Sequence, residues 1–128
     1  MKLRIRGNSI RLRLTQGEVS GLIADGVICE AVQFSAAPAD RLTYSVQVSH
    51  SAALPLASYT HGELLVTLPA ARVVEWADSD QVGIEHTQAA DGIELRIVVE
   101  KDFRCLQPRP EEDEADNFPH PDPASCGT

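Results

Sequence analysis

The sequence has no long apolar run. No stretch of its 128 residues approaches the roughly 20 consecutive apolar residues that a membrane-spanning helix needs. The first residues alternate charged and apolar side chains, so they also lack the continuous apolar segment of a secretion signal. We therefore expect a cytoplasmic protein without membrane contact.

Cysteine and aromatic residues are also scarce. The three cysteines, Cys29, Cys105 and Cys126, are odd in number and irregularly spaced, which favours reduced thiols over a disulfide framework. We expect Cys29 and Cys105 to be small, buried or half-buried thiols. Aromatic residues make up 5% of the chain. The motifs of phosphate-binding loops, dinucleotide-binding turns, serine hydrolases and zinc proteases are absent.

The net charge of −8 is unevenly distributed. Five of the eleven basic residues lie in the first thirteen positions, whereas residues 107–128 carry six carboxylates against Arg109. Overall acidity argues against nucleic-acid binding, which needs a net basic surface. We expect a single domain over residues 1–106 and a flexible acidic tail over residues 107–128, because that proline-containing segment has little apolar surface to bury.

The basic start of the chain has the pattern of a β-hairpin. Apolar and basic residues alternate through residues 1–14, and the phase of the alternation changes at Gly7-Asn8. A two-residue type II′ turn explains the change, with Gly7 in the position that needs a positive φ. One face of the hairpin is then apolar. The other face, here called the basic ribbon, consists of Lys2, Arg4, Arg6, Arg11 and Arg13.

The basic ribbon would place like charges opposite each other. The predicted register pairs Arg4 with Arg11 and Lys2 with Arg13, and such pairs destabilise a sheet unless a negative group compensates them. Guanidinium groups bind carboxylates and phosphates through two hydrogen bonds, so the ribbon is a candidate anion site, with Asn8 in its turn. Two structural interpretations stay open. In one, the ribbon is a solvated face that protects a strand edge. In the other, it pairs with acidic residues on a neighbouring strand, namely Glu94, Glu100 or Asp102.

The rest of the chain predicts an α+β domain. Thr15 and Glu18 form a capping box for a helix that ends before Gly26, and a second short helix follows Pro69. We recognise no internal repeat. We expect one mostly antiparallel sheet of about six or seven strands, with both helices packed on one face. The predicted helices cover about 16–25 and 70–78, and the predicted strands after the hairpin cover 27–34, 41–49, 62–68, 81–87 and 93–103.

Glu100 and Asp102 share one face of the last predicted strand. Their carboxylates would lie about 7 Å apart, a separation found in the acid–base pairs of inverting glycosidases. A small enzyme that uses these carboxylates with one of the arginines is therefore an alternative, and it predicts a concave pocket where they converge. Pairing with the basic ribbon is the simpler interpretation, since no other feature indicates a sugar-binding cleft.

The end of the chain contains possible metal ligands in Cys105, His120, Asp122 and Cys126. Their spacing lacks the close cysteine or histidine pairs of zinc sites. We therefore predict no metal site and no cofactor.

Three segments carry a family resemblance: the opening MKLRIRGNSIRLRLTQGEV, the segment WADSDQVGIE, and the closing EKDFRCL with the later FPHP. In these segments the chain resembles DUF7009, a family of small bacterial proteins of unknown function. The resemblance covers almost the whole chain and implies a single intact domain. It implies no activity, because none is established for the family.

Together these features predict a small binding or accessory domain. Its basic ribbon would recognise a small anion or an acidic protein partner, and the chain's own acidic tail is one candidate. A small enzyme and a structural homo-oligomer that pairs through an exposed strand edge are the alternatives.

Overall fold

A computed structural model describes residues 1–103 and 118. These residues form eight strands and two helices, which confirms the α+β class. Within this part of the chain, neither helix has the length and apolar character that crossing a bilayer requires. The elements are β1 (Lys2–Arg6), β2 (Ser9–Leu14), α1 (Gln16–Asp25), β3 (Val27–Gln33), β4 (Arg41–Ser49), β5 (Leu56–Thr60), β6 (Glu63–Pro69), α2 (Ala70–Ala77), β7 (Gly83–Ala90) and β8 (Ile93–Lys101).

The strands form two four-stranded sheets rather than one. Sheet A has the order β1-β2-β8-β7, and sheet B has the order β3-β4-β6-β5. The outer pairs of each sheet are antiparallel, whereas the central pairs, β2 with β8 and β4 with β6, are parallel. The expectation of a single sheet is therefore wrong, whereas antiparallel pairing predominates as expected, in four of the six strand pairs. Side-chain alternation indicates which face of a strand is buried, but not which strand lies beside it.

The strand that the sequence analysis missed is β5. Ala57 is its one buried residue, so its apolar alternation is weak. A turn at His61-Gly62 joins β5 to β6, and both residues have positive φ, 49° and 79°, as a type I′ turn requires. The sequence His-Gly is not one of the Asn-Gly or Asp-Gly pairs that identify such turns. The turn between β7 and β8 does have such a pair, Asp91-Gly92.

Both predicted helices are present, and local sequence explains the limits of α1. The Thr15 hydroxyl accepts the Glu18 N–H at 3.3 Å, and the Glu18 carboxylate accepts the Thr15 N–H at 2.9 Å, which completes the predicted capping box. The helix ends at Gly26, whose φ of 80° is the left-handed conformation that favours glycine. The helices do not lie on one face of one sheet, since each contacts strands of both sheets.

The two sheets and both helices share one core. Leu12 of sheet A, Val46 and Val66 of sheet B, and Trp76 of α2 are fully buried in it. The indole N–H of Trp76 donates to the backbone carbonyl of Val82 at 3.0 Å, so its one polar atom is satisfied. Burying each large apolar side chain contributes roughly 1.5–3 kcal/mol, so this shared core holds the sheets together.

Residues 2–101 form two halves with the same order of elements. The first half (residues 2–49) has the order ββαββ, and the second half (residues 56–101) repeats it. Each sheet combines one hairpin from each half, so the halves interlock. Equivalent backbone hydrogen bonds support the relation: Val48 N to Gly26 O (2.9 Å) in the first half and Lys101 N to Val82 O (3.0 Å) in the second.

Core positions repeat along the chain with a constant separation. The equivalent pairs are Leu12 and Val66, Leu14 and Leu68, Val19 and Val73, and Leu22 and Trp76, each separated by 54 positions. The structure thus corrects the conclusion that the chain has no internal repeat. The repeat escapes sequence inspection because it preserves apolar character rather than residue identity.

Candidate anion-binding site

The N-terminal hairpin has the predicted register, with all five predicted residue pairs present. Gly7 has a φ of 54°, and the residue after it does not have a positive φ, as a type II′ turn requires. Leu12 and Leu14 are buried on the inner face of sheet A. The basic ribbon therefore lies on the outer face of this sheet.

Two acidic residues, Glu100 of β8 and Asp102 directly after this strand, compensate one end of the basic ribbon. Glu100 lies beside Arg13 in the parallel register of β2 and β8. Its Oε1 accepts hydrogen bonds from Arg13 Nε at 2.8 Å and Arg11 Nη1 at 3.3 Å. Asp102 Oδ2 lies 3.1 Å from Lys2 Nζ. The structure therefore shows internal pairing with a neighbouring strand, one of the two structural interpretations of the ribbon.

Glu100 is the buried member of this cluster. It is 6% exposed, and the side chains of Arg13 and Arg11 are 14% and 20% exposed. Removing a carboxylate from water costs several kcal/mol unless charges and hydrogen bonds compensate. The two guanidinium groups provide that compensation, so they hold Glu100 in place and are held by it.

Among the carboxylates of residues 1–103, Glu85 alone lies within ion-pair distance of a cation at the turn end of the ribbon. Arg6, Ser9, Arg96 and Thr87 are neighbours across sheet A and form what we call the turn-end row. Arg96 Nη2 lies 3.2 Å from Glu85 Oε2, and both of these side chains are more than half exposed. Within residues 1–103, no carboxylate lies within ion-pair distance of Arg6.

Asn8 connects the turn to β8 through a hydrogen bond. Its side-chain amide donates to the backbone carbonyl of Glu94. The amide nitrogen of this candidate ligand is therefore used to position the turn. Glu94, which we considered as a partner of the ribbon, contributes this carbonyl.

The carboxylates of the enzyme alternative, Glu100 and Asp102, are both engaged with cations of the ribbon. A surface depression of the described chain is lined by Glu85, His86, Thr87 and Arg96. It adjoins the turn-end row and includes neither Glu100 nor Asp102. This depression is therefore not the pocket that the enzyme alternative predicts.

Metal ligands do not cluster in the described part of the chain. Within residues 1–103 and 118, no three His, Cys, Asp or Glu side chains are placed to hold a metal ion. Cys29 is exposed on β3 rather than buried or half-buried as expected. It lies opposite Ser45, on the face of sheet B that points away from the core. The other candidate ligands, Cys105, His120, Asp122 and Cys126, lie outside the described residues.

A comparison with known protein families finds one match. Residues 1–122 match a family described as a family of unknown function, DUF7009. The chain belongs to DUF7009. No curated protein and no solved structure matches this DUF7009 chain significantly. Membership confirms the resemblance noted in the sequence and adds no activity.

A second polar cluster of this DUF7009 chain surrounds the amino group of Met1, and sequence reasoning missed it. The ammonium contacts the Glu18 carboxylate and lies 3.3 Å from Glu30 Oε2. The Tyr44 hydroxyl donates to the same Glu30 oxygen at 3.1 Å. These residues lie at the N-terminus and in α1, β3 and β4, far apart in the sequence. The spacing of neighbouring residues therefore could not indicate that they are in contact.

The charges of this cluster shift its pKa values. Burial lowers the pKa of the Met1 amino group, but the hydrogen bonds and charges of Glu18 and Glu30 outweigh it and raise this pKa above its ordinary value. Burial raises the pKa of Glu18, but hydrogen bonds from Met1 and Thr15 outweigh it and hold this pKa below its ordinary value. Burial, with the neighbouring Glu30, raises the pKa of Tyr44.

The second half of the DUF7009 fold lacks the charges of the basic ribbon. The equivalent of the Arg13–Glu100 contact is a neutral one, in which Gln47 Nε2 donates to Thr67 Oγ1 at 2.9 Å. The fold therefore accommodates an uncharged pair at this place. Leu56, Ser58 and Thr60 of β5 occupy the positions equivalent to Lys2, Arg4 and Arg6 of β1.

Proposed function

We propose that this chain is a small cytoplasmic binding or accessory domain whose basic ribbon recognises an anionic group, carried by an acidic protein or by a small anion. The observation that supports the proposal is the unequal compensation of the ribbon. Glu100 and Asp102 compensate the end near Lys2, whereas the turn end holds Arg6 and an Arg96 whose partner is the exposed Glu85.

The turn-end row has the spacing that a carboxylate or phosphate needs. Neighbouring strands lie about 4.8 Å apart, so the backbones of Arg6 and Arg96 are about 10 Å apart with Ser9 between them. Two long arginine side chains can therefore close on one anion from opposite sides. The hydroxyls of Ser9 and Thr87 lie in the same row and can donate to the same oxygens.

The compensated end of the ribbon would extend this surface. A guanidinium group has five N–H donors, and Arg11 gives one of its terminal nitrogens to Glu100. Within residues 1–103, Glu100 is the one carboxylate at ion-pair distance from Arg11, so its other donors can contact a longer acidic segment. Since Glu100 holds this side chain in one orientation, little conformational entropy is lost on binding.

The acidic tail at residues 107–128 is one candidate occupant of the ribbon. Its charge is opposite to that of the ribbon, and a tethered segment binds at a high effective concentration. Apart from residue 118, the tail lies outside the described residues, so a substitution experiment tests its role. Replacing its four clustered acids, Glu111, Glu112, Asp113 and Glu114, with the corresponding amides should strengthen the binding of an added acidic peptide if the tail competes.

The proposal is tested by calorimetric titration of the full chain with a hexaglutamate peptide and, separately, with inorganic phosphate, at low and high salt. The double variant Arg6→Gln/Arg96→Gln should bind about tenfold more weakly, since a hydrogen bond to a charged group is worth roughly 1.5 kcal/mol or more. Glu85→Gln should bind more tightly because it releases Arg96. Added salt should weaken all of these complexes, because the site is exposed.

The matched control is Arg41→Gln, which removes an exposed arginine from sheet B. The proposal fails if neither probe binds, or if the control loses as much affinity as the double variant. Binding of the peptide without binding of phosphate would identify an acidic protein as the partner.

A further inference from the structure

Four strands form the edges of the two sheets: β1, β7, β3 and β5. An edge strand presents unpaired backbone groups, and charged side chains are a common protection against pairing with another chain. On β1 this protection comes from Lys2, Arg4 and Arg6.

Side-chain amides protect β5 and the start of β7. Gln88 accepts the Ala57 N–H at 2.8 Å and donates to the Ala57 carbonyl at 3.1 Å, so both edge-facing groups at this point of β5 are satisfied. Gln81 donates to the Gly83 carbonyl at 2.9 Å. Glu85 adds a charge to the same edge.

Within residues 1–103, the edge strand β3 carries one charge, Glu30, whose carboxylate lies 3.3 Å from the Met1 ammonium and is compensated by it. Gly26 and Phe34, which flank the strand, are hydrogen-bonded to residues on the β4 side at 2.9 and 2.8 Å. Because bonded residues alternate in an antiparallel pair, Val27, Cys29 and Ala31 direct their N–H and C=O groups away from the sheet. These three residues are uncharged, and all three are exposed.

We propose that β3 pairs with β3 of a second copy of this chain, about a twofold axis at Cys29. Antiparallel pairing makes an edge complementary to itself, so one exposed edge is sufficient for a closed dimer. In this register Val27 lies opposite Ala31 of the second copy, and Ile28 lies opposite Glu30. A register centred on Glu30 would place two carboxylates opposite each other, which is unfavourable.

Charge favours this register for β3 and disfavours the equivalent register for its counterpart β7. In the second half of the chain, Glu85 occupies the position equivalent to Cys29. Pairing of β7 with itself would therefore bring two carboxylates together, whereas pairing of β3 brings two thiols together. One short strand pair buries less than the roughly 1,200–2,000 Å² of a stable interface, so the dimer should form reversibly and depend on concentration. The site lies on sheet B, and the inference is independent of the proposed function.

The inference is tested by sedimentation velocity of the full chain over a range of concentrations. The wild-type chain should show a reversible monomer–dimer equilibrium. Cys29→Lys places two ammonium groups opposite each other and should weaken the dimer by about tenfold or more. The matched control is Ala89→Lys, at an exposed position of the edge strand β7, and it should leave the equilibrium unchanged.

Two further measurements identify the contact. Mixing Cys29→Lys with Cys29→Glu should restore a dimer that contains one copy of each, because opposite charges then meet. In the Cys105→Ser/Cys126→Ser background, a short bismaleimide should join two chains through Cys29. A chain that stays monomeric at every concentration overturns the inference. So does a dimer that survives Cys29→Lys and is not linked through Cys29, since its interface would lie elsewhere.

Discussion

Replacing Glu100 with glutamine removes one negative charge from a half-buried cluster and preserves its shape. The substitution changes two hydrogen bonds, from Arg13 at 2.8 Å and from Arg11 at 3.3 Å, from ionic to partly neutral. It also removes the negative charge that contacts both Arg11 and Arg13. We expect a lower free energy of unfolding and a native fold, because glutamine fits the same space.

The size of this effect follows from burial. In Glu100→Gln the guanidinium donors stay charged and only the acceptor becomes neutral, so each of the two bonds is kept but weakened, by about 1 kcal/mol. Breaking a fully buried ion pair costs about 3–5 kcal/mol. Arg13 and Arg11 remain 14% and 20% exposed, so water screens part of the effect. We therefore expect Glu100→Gln to lower the unfolding free energy by about 2 kcal/mol.

Urea denaturation followed by circular dichroism measures this difference. Glu85→Gln is the control, because it removes a carboxylate whose ion pair with Arg96 is more than half exposed on both sides; it should cost about 0.5 kcal/mol or less. Added phosphate should restore part of the stability of Glu100→Gln, since it can occupy the uncompensated ribbon. Equal and small losses in both variants would refute the view that Glu100 organises the ribbon.

The same substitution at two glycines should have opposite effects, both measurable by urea denaturation. Gly17→Ala, where the added Cβ meets open space at the start of α1, should raise the unfolding free energy by about 0.5 kcal/mol. Gly62→Ala should lower it by about 2 kcal/mol or more, because the residue has a φ of 79° and its Cβ would lie 2.6 Å from the Arg41 carbonyl oxygen. Glu18→Gln retains the capping box but removes the ion pair with the Met1 ammonium, which should cost about 0.5–1 kcal/mol within a limited pH range. The pKa of Glu18 is lowered in the folded state, so the ion pair stabilises the protein above the ordinary glutamate pKa of 4.5, and this contribution is lost as pH falls through the folded-state pKa. The pKa of the Met1 amino group is raised, so the contribution is present below the ordinary pKa of 8.0 and is lost as pH rises through the folded-state pKa. Wild-type and variant stabilities should therefore differ near neutral pH and converge in acid and in alkali; a constant difference would contradict this assignment.

Elements that depend on neighbouring residues could be predicted from the sequence. The hairpin register follows from the alternation around Gly7-Asn8, and α1 follows from Thr15, Glu18 and Gly26. In each case the residues that determine the element lie close together in the sequence. Their spacing therefore reports local geometry directly.

Pairings between distant strands could not be predicted in the same way. Opposite charge correctly indicated Glu100 and Asp102 as partners of the basic ribbon. The division of the ribbon into a compensated end and the turn-end row depends on the parallel register of β2 and β8, whose contacts span 87 residues. The split into two sheets has the same origin. One sequence signal was available, since Leu12 and Val66 belong to an apolar pattern that recurs after 54 positions.

Interlocked halves have a consequence for the order in which the protein is made. During synthesis β2 emerges long before β8, and the contact between Arg13 and Glu100 spans 87 residues. At translation speeds of about 5–20 residues per second, the delay between the synthesis of β2 and that of β8 is roughly 4–17 seconds. In that interval the apolar face with Leu12 and Leu14 lacks its final neighbour. The basic residues on the opposite face act then as gatekeepers, because charge next to an apolar strand suppresses aggregation of the unfinished chain.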